Sequence, residues 1–315
     1  MASGGTMKWH ELSIKVSPEI SEAIEDLFRK FGYGGAIIEQ PILEGDDAEE
    51  YSIDSDSPVL IRTYLPADTK SIEAISNIKR GLAALSLITD LPRLSEREVD
   101  EDEWNQAWRA HFPVLRIGKR IIIKPSWRKY TKKAEDDVVI KLDPGSAFGS
   151  GQHPSTRLCL KELEIRITKK QDVLDLGTGS GILAMAAAKL GAPSVLAIDI
   201  DSVSVRAASE NVVANRLTRK VRVELDSLPL SRKLNSAGYR KFDIVVANVT
   251  GTILTKLSPF IPKVMSPDGQ LIASGIIDSK LDSTLEAFKS DGLSIERVRK
   301  EGDWRLVVAT LQKVD

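Results

Sequence analysis

Apolar and polar residues alternate with two different periods along the first hundred residues. A period of two, typical of strands, predicts four of them: WHELSIKV (9–16), GGAIIEQPI (34–42), PVLIRTYLP (58–66) and a short SEREVD (95–100). A period near 3.6 predicts two amphipathic helices: EISEAIEDLFRKFG (19–32), capped by Ser17-Pro18, and SIEAISNIKRGLAALSL (71–87). This order of elements predicts a small α+β domain of ferredoxin-like βαββαβ type.

The pattern changes after residue 100. EDEWNQAWRAHF (101–112) predicts a connecting helix whose Trp104 and Trp108 share one face as packing anchors, and IIIKPSW predicts a strand. From residue 138 onward, strands and helices alternate regularly. We therefore predict an N-terminal α+β domain (1–100), a linker helix and strand (101–137) and a C-terminal α/β domain (138–315) that should hold the chemistry. The acidic stretch LEGDDAEEYSIDSDS predicts a solvated hairpin loop, with contact to a basic partner as the alternative.

Composition narrows the class of protein. The chain has 315 residues, 42% hydrophobic, which is enough for two cores. Its 44 basic and 45 acidic side chains give a net charge of -1, so total charge predicts neither a nucleic-acid partner nor a membrane. The single cysteine, Cys159, excludes an intramolecular disulfide, and the three scattered histidines predict no metal site. No apolar run is long enough to span a bilayer, so we expect a cytoplasmic protein, and a monomer because no large apolar patch is evident.

A glycine-rich turn carries the strongest chemical signal. DVLDL predicts a buried strand and ILAMAAAKLGA a helix, so Gly177, Gly179 and Gly181 lie at a strand-to-helix crossover. The next strand, SVLAID, ends at Asp199, whose carboxylate can accept hydrogen bonds from both hydroxyls of a ribose. The turn and the acid together predict an adenosine-containing ligand. The spacing G-x-G-x-G is one residue shorter than the G-x-G-x-x-G of dinucleotide sites, which favours S-adenosylmethionine over a nicotinamide.

The last two predicted strands, LSIERVRK and WRLVVATLQ, are separated by three residues. A parallel crossover needs about a dozen residues, so the final strand is predicted to run antiparallel. A parallel sheet that ends in such a hairpin is typical of the Rossmann-like class I methyltransferases. We therefore predict a seven-stranded mixed sheet with a C-terminal antiparallel hairpin.

Several stretches resemble one enzyme family. EDEWNQAWRAHF, KPSW, DPGSAFGSGQHPSTRLCL, VLDLGTGSGILAMAAAKLGA, IDID and DIVVANV, in this order, resemble the bacterial methyltransferases that modify large-subunit ribosomal protein 11. The resemblance implies S-adenosylmethionine as methyl donor, with S-adenosylhomocysteine as product. It also implies methylation of the substrate's N-terminal α-amine and of lysine side chains, and recognition of the ribosomal protein by the N-terminal domain.

The resemblance also implies roles for individual residues. Thr156 would line the cofactor pocket, Gly177 would touch the methionine part, Asp199 the ribose, and Asn248 would close the site beside the sulfonium. Four further cofactor contacts are implied: Phe148, Gly179, Gly181 and Asp226. The family's usual NILAGPL reads NVTGTIL here, so Asn248 is kept but Ile253 stands at the proline position.

Methyl transfer to nitrogen needs a neutral amine, since a protonated lysine has no lone pair with which to attack. The side-chain oxygen of Asn248 and the carbonyls of Val249 and Thr250 are suited to hold amine hydrogens, and we expect Asn248 to orient the amine. His153 is either a general base or, more in keeping with its place beside Pro154, a packing residue. Trp304 either walls the pocket or packs in the hairpin core. The alternatives to this function are a methyltransferase for another protein, a cofactor-binding protein without turnover, and a nicotinamide oxidoreductase.

Overall fold

The fold is taken from a computed structural model of the chain. It describes residues 8–39, 42–44, 51–53, 57–100, 113–143, 149, 151–236, 238 and 241–312. The chain divides into two compact units, residues 1–112 and 113–315. The predicted linker helix with Trp104 and Trp108, and most of the acidic loop, lie outside the described residues. The functional division at residues 100 and 137 stays a prediction.

The first unit contains six strands and two helices among its described residues. The strands are β1 (Lys8–Val16), β2 (Tyr33–Glu39), β3 (Ile42–Glu44), β4 (Tyr51–Ile53), β5 (Val59–Pro66) and β6 (Ser95–Asp100). The helices are α1 (Pro18–Phe31) and α2 (Thr69–Leu85). Four strands form an antiparallel sheet in the order β2-β5-β1-β6, and β3 pairs with β4. This is the predicted ferredoxin-like arrangement.

Alternation along β1 divides its side chains between the two faces of the sheet. Leu12, Ile14 and Val16 join the core that also contains Ile24 and Phe28 of α1. Phe28 is completely buried, which is worth about 2–3 kcal/mol for a side chain of this size. Apolar side chains spaced two residues apart on the strand thus pack in one core with apolar side chains spaced by about one helical turn on α1.

A three-stranded sheet opens the second unit. Its strands are β7 (Leu115–Ile117), β8 (Ile121–Lys124) and β9 (Val138–Lys141), and β9 pairs parallel with β8. The sequence predicted the strand in IIIKPSW but not this sheet. Val138–Lys141 therefore belongs to the small sheet, whereas the regular alternation around the large sheet begins later in the chain.

The large sheet has seven strands in the order β12-β11-β10-β13-β14-β16-β15. These strands are β10 (Val173–Leu176), β11 (Val195–Asp199), β12 (Val221–Leu225), β13 (Phe242–Asn248), β14 (Met265–Ile277), β15 (Leu293–Glu301) and β16 (Trp304–Leu311). β10 to β14 pair in parallel, while β16 runs antiparallel to both β14 and β15. The predicted seven-stranded mixed sheet with its closing hairpin is confirmed, and the chain has the Rossmann-like methyltransferase fold.

Helices pack against this sheet. They are α3 (Pro154–Arg166), α4 (Ile182–Leu190), α5 (Ser202–Ala214), α6 (Arg232–Ser236), α7 (Gly251–Leu257), α8 (Ile261–Val264) and α9 (Leu281–Ser290). Two apolar clusters form the core, one containing α3 and α4 and the other α7 and α9. Cys159 is fully buried in α3, where burial raises the pKa of its thiol, in keeping with a structural role. No helix among the described residues is long and apolar enough to cross a membrane.

Candidate cofactor-binding and active site

The glycine turn joins β10 to α4 in a conformation that disfavours other residues. Gly177, Gly179 and Gly181 have φ angles of 74°, 53° and 82°. The amide groups of Gly177 and Thr178 both donate to the carbonyl of Ile198, at 2.9 and 3.0 Å. A Cβ atom on Gly177 would lie 2.5 Å from Cγ1 of Val249. The turn therefore brings its backbone close to the residue that follows Asn248, with no room for a side chain between them.

Asp199 ties the end of β11 to this turn. One carboxylate oxygen accepts the amide hydrogen of Gly179 at 2.9 Å, and the other accepts that of Asp201 at 3.0 Å. Each oxygen keeps a further lone pair, because a carboxylate oxygen can accept two hydrogen bonds. The acid and the glycines that the sequence predicted as partners in one site are therefore in direct contact.

Asp226, also predicted as a cofactor contact, lies at the end of the neighbouring strand. Its amide donates to the carbonyl of Asp199 at 3.0 Å. Its carboxylate accepts the amide hydrogens of Ser227 and Ser231 at 2.8 and 3.2 Å, so both oxygens organise the following turn. Phe148 lies outside the described residues, and its role stays a prediction.

Asn248 and Thr156 form the polar pair of the site. Nδ2 of Asn248, at the end of β13, donates to Oγ1 of Thr156, in the first turn of α3, at 3.1 Å. Thr156 is fully buried. Oδ1 of Asn248 is buried and has no hydrogen-bond partner among the described residues. A buried acceptor without a partner is costly, so this oxygen is suited to receive a hydrogen from a bound molecule.

The start of α3 is held by His153 and by the final hairpin. Nδ1 of His153 accepts the amide hydrogen of Ser155 at 3.2 Å and lies 2.6 Å from its hydroxyl, so His153 caps the helix. Its ring meets the ring of Trp304 edge-on, with centroids 4.5 Å apart. Arg157 donates to Glu301 at 2.6 Å and also to the carbonyl of Gln152. The hairpin therefore fixes the turn that carries Thr156.

The stretch DPGSAFGSGQHPSTRLCL (143–160) contacts the glycine turn through Gly149. The hydroxyl of Ser180 donates to the carbonyl of Gly149 at 2.7 Å. Gly149 and Gly151 both have positive φ angles, of 104° and 89°. Most of residues 144–150 lies outside the described residues, so Gly149 is the point at which this loop is seen to meet the site.

Asp175 is an ionisable residue of the site region that the sequence did not single out. It lies fully buried in β10, where Oδ2 accepts hydrogen bonds from Thr178 and from the amide of Ala184 at 2.6 and 3.0 Å. Burial, opposed by these two hydrogen bonds and reinforced by the charge of Asp199, raises the pKa of Asp175 to about 7. The signal was present in DVLDL, because an acid inside a buried strand needs a specific partner.

Two exposed apolar residues beside Asp199 were also missed. Ile200 is 77% exposed and Leu225 is 58% exposed, and Leu225 is the register partner of Asp199. Large apolar side chains exposed at the carboxyl ends of parallel strands are candidate ligand contacts. The sequence signal for Ile200 was its position directly after Asp199 in the stretch IDID.

Two further features fall outside this site. An open groove of about 600 Å³ lies in the first unit, between α2 and the β1 and β6 strands, and none of the predicted site residues borders it. Among the described residues, no three His, Cys, Asp or Glu side chains are grouped as a metal site would require.

Comparison with known proteins identifies the family. The family model for ribosomal protein L11 methyltransferase (PrmA) matches residues 8–312. Ribosomal protein L11 methyltransferases from Chloroflexus aurantiacus and Herpetosiphon aurantiacus are each 39% identical to this chain, over 96% and 95% of it and 98% and 97% of their own lengths. A crystal structure of the ribosomal protein L11 methylase from Lactobacillus delbrueckii subsp. bulgaricus is 36% identical with a TM-score of 0.57, covering 64% of this chain and 99% of that one. The chain belongs to the ribosomal protein L11 methyltransferase (PrmA) family.

Proposed function

We propose that this protein transfers methyl groups from S-adenosylmethionine to amines of ribosomal protein L11, namely the N-terminal α-amine and lysine side chains. The observation that carries the proposal is the amide of Asn248, with Nδ2 fixed by Thr156 and Oδ1 buried without a partner. The proposal is further supported by the family match and by the neighbouring residue Val249, whose Cγ1 would lie 2.5 Å from a Cβ atom on Gly177 of the glycine turn.

The described residues fit the cofactor. Gly177 and Gly179 have positive φ angles and carry no side chain, so a ligand can approach the backbone of the turn, and the start of α4 favours the negative charge of a carboxylate. Asp199 keeps lone pairs for two ribose hydroxyls, and Ile200 and Leu225 offer apolar surface for an adenine ring. When bound, S-adenosylmethionine supplies an activated methyl group and its own leaving group, so no covalent nucleophile is needed from the protein.

The task of the protein is to present a neutral amine in line with the methyl group. Oδ1 of Asn248 accepts a hydrogen from the amine and turns the nitrogen lone pair toward the donor. An amide oxygen suits this task better than a carboxylate, because a negative charge would favour the protonated amine before reaction. The proton is released to water.

His153 acts as a positioning residue in this proposal. Because Nδ1 accepts from the amide of Ser155, the neutral ring carries its hydrogen on Nε2. That tautomer has no lone pair available to take a proton from the substrate. We assign His153 to holding the start of α3, where Thr156 supports Asn248.

We assign recognition of the protein substrate to the first unit. The outer side of α2 exposes Ile72, with Leu87 and Ile88 following its C-terminus, at 67%, 88% and 83% exposure. Ile72 lines the groove beside β6 together with Lys79 and Arg80. Exposed apolar side chains rimmed by charge are typical of protein-binding surfaces.

Methyl transfer is tested by incubating the purified protein with S-adenosylmethionine and unmodified L11 and locating added methyl groups by mass spectrometry. We expect methyl groups on the α-amine and on lysines. Asn248→Ala is expected to lower kcat by about 10²-fold, since one preoriented hydrogen bond to the reacting group is lost, with little change in the binding of S-adenosylhomocysteine.

Three outcomes would change the assignment. Wild-type turnover by Asn248→Ala at saturating substrate would remove the role of Asn248. No mass gain on L11 while S-adenosylhomocysteine still raises the melting temperature would point to a different protein substrate. A rise in melting temperature with NAD but not with S-adenosylhomocysteine would reject a methyltransferase altogether.

A further inference from the structure

Positive charge is concentrated in one part of the second unit. Residues 113–134 contain eight Lys and Arg side chains and no acid, although the whole chain has a net charge of -1. Many of these cations lie in the β8–β9 connection, where Lys132 and Lys133 are exposed. The positive charge is therefore local, and the net charge of the whole chain does not reveal it.

The tertiary structure brings further cations to the same place. Lys132 lies near enough to Lys189 that its charge, after the larger effect of burial, holds the pKa of Lys189 below its usual value. Nζ of Lys220 donates to the carbonyl of Ala188 at 3.3 Å. A Cβ atom on Gly191 would lie 3.3 Å from Cγ of Lys169. Three separate segments thus converge on the C-terminal end of α4.

We define the basic surface by six residues: Lys132, Lys133, Lys169, Lys189, Arg219 and Lys220. All are exposed except Lys189, which is half-buried. Within the described part of the chain, none of the six forms an ion pair with Asp or Glu. The adjoining acids Glu135 and Asp136 are exposed and likewise form no ion pair with any described residue. These cations are available to an external anion.

The basic surface lies away from the candidate active site. Lys169 precedes β10 and Lys220 precedes β12, so both mark the amino ends of parallel strands. The glycine turn and Asp199 follow β10 and β11 at the carboxyl ends. A ligand on the basic surface would therefore leave the methyl-transfer site open.

We propose that the basic surface binds the phosphate backbone of RNA. Among the described residues, Nζ of Lys132 and Nζ of Lys220 donate only to the backbone carbonyls of Glu135 and Ala188, so their charges are not neutralised. Lysine and arginine side chains without an ion-pair partner gain free energy by displacing counterions from a polyphosphate, whatever its base sequence. The C-terminal end of α4 carries the negative end of the helix dipole, which helps to hold the cations together. The net charge of the chain predicts no nucleic-acid partner, whereas the local concentration of cations favours one.

The composition of the surface favours RNA over other anionic partners. No large apolar side chain is exposed in residues 126–136, 168–172 or 216–220. Protein interfaces bury an apolar centre, and peripheral membrane proteins insert apolar side chains into the lipid. A surface that offers exposed cations without such anchors matches a polyphosphate chain best.

The test measures binding of a fluorescein-labelled RNA hairpin, about 20 nucleotides long, to the full-length protein by fluorescence anisotropy over a range of salt concentrations. The triple variant Lys132→Glu/Lys169→Glu/Lys220→Glu is compared with Lys256→Glu/Lys263→Glu/Lys289→Glu. The control lysines are exposed on α7, α8 and α9 of the same unit, so both variants change the net charge equally.

We expect the wild type to bind with an affinity that falls steeply with salt. The basic-surface variant should bind at least about tenfold more weakly and lose about two to three units of the log–log salt slope, at roughly 0.7–0.9 for each lost phosphate contact. The control variant should retain most of the affinity. Melting temperatures of both variants show whether they are folded, and if the Glu variant unfolds, the same three positions are changed to Gln.

Three results would overturn the proposal. The first is no RNA binding by the wild type at about 0.1 M salt, where phosphate contacts of this number are still effective. The second is an equal loss of RNA binding in both triple variants, which would reflect net charge alone. The third is equal or tighter binding to anionic vesicles or to polyglutamate through the same lysines, which would assign the surface to a membrane or an acidic protein.

Discussion

At the scale of single residues, Asp175 affects the stability of the fold and also supports the glycine turn of the candidate site. Its carboxyl is fully buried beneath the glycine turn and is hydrogen-bonded to Thr178 and Ala184. Its other oxygen is buried without a hydrogen-bond partner among the described residues. This environment favours the protonated acid, because ionisation would leave a buried charge with little compensation.

Asp175 should make stability depend on pH. In the folded protein burial raises its pKa to about 7, whereas an unfolded aspartate titrates near 3.9. Between these values the folded state holds a proton that the unfolded state has lost, so stability falls as pH rises from about 4 to about 7, by at most about 1.4 kcal/mol per unit. Asp175→Asn should remove this contribution, as measured by urea unfolding across that range. Parallel pH curves for the two proteins would contradict the assignment.

At the scale of elements, two ion pairs join α3 to β15 at opposite ends. Arg157 binds Glu301 beside the turn that carries Thr156, and Arg166 binds Glu296 at the far end of the helix, at 2.6 and 2.7 Å. Both are arginine–glutamate pairs with one further ionic partner, Lys161 on Glu301 at 3.3 Å and Glu162 on Arg166 at 2.6 Å, but only the first lies next to the candidate site. They therefore separate a local effect on the site from a general effect on stability.

Glu301→Gln should reduce methyl transfer more than Glu296→Gln does. The first change weakens the hold on the start of α3 and so loosens Thr156 and Asn248, which should lower kcat/KM several-fold. The second should lower the melting temperature by a similar small amount and leave kcat/KM unchanged. Equal kinetic effects of the two substitutions would show that the hairpin does not position the site.

The start of α7 shows how the departure from the family motif is accommodated. The side chain of Thr250 caps the helix by accepting from the amide of Ile253. In NILAGPL, leucine stands at position 250 and proline at 253, so there is neither a capping hydroxyl nor an amide hydrogen to bind it. The differences at positions 250 and 253 are therefore linked: a helix whose first turn is capped by a threonine side chain replaces one with proline in its first turn.

A double-mutant cycle checks this pairing. Thr250→Leu should cost about 0.5–1 kcal/mol, in the lower part of the range for a cap, because the Ile253 amide also donates to the carbonyl of Thr250 at 2.9 Å. The same change should cost much less in the presence of Ile253→Pro, because the amide that the cap serves is gone. The coupling is measured by urea unfolding of the four proteins. Strictly additive costs would show that the two positions are independent.

At the scale of the whole molecule, the first unit has a buried charge cluster of its own. Glu11 is 2% exposed and accepts hydrogen bonds from Arg97, Tyr64 and Arg62 at 2.8–2.9 Å. Burial alone would raise the pKa of Glu11, but these partners lower it on balance. The cluster joins three neighbouring strands of the sheet, β1, β5 and β6.

Glu11→Gln should destabilise the first unit by about 1–3 kcal/mol, less than for a fully buried pair because the arginine heads reach solvent. Because the pKa of Glu11 is lowered in the folded protein, its contribution to stability is present above the unfolded pKa near 4.3 and is lost as pH falls through the folded pKa.

At neutral pH, where that contribution is present in the wild type, hydrogen exchange of Glu11→Gln should be faster than that of the wild type in peptides from residues 8–16 and 59–66. The same acceleration in residues 173–176 would show that the effect is not confined to this unit.

Much of this protein could be predicted from local sequence. Strand and helix periods gave the ferredoxin-like unit, and the three residues between the last two strands required an antiparallel end, because a parallel crossover needs more chain. The three glycines predicted a turn with unusual backbone angles, since positive φ is accessible to glycine at little cost. These features depend on a few consecutive residues, so they are readable without a fold.

Other features depended on residues far apart in the chain. Pairing of β9 with β8, the contact of Thr156 with Asn248, the hold of Glu301 on α3 and the convergence of lysines on α4 all join distant segments. The raised pKa of Asp175 and the positive charge of the basic surface also arise only when distant segments pack together. Electrostatic interactions depend on distance and burial rather than on composition. Local sequence thus determined the elements and the type of ligand turn, whereas tertiary packing decided which side chains share a site.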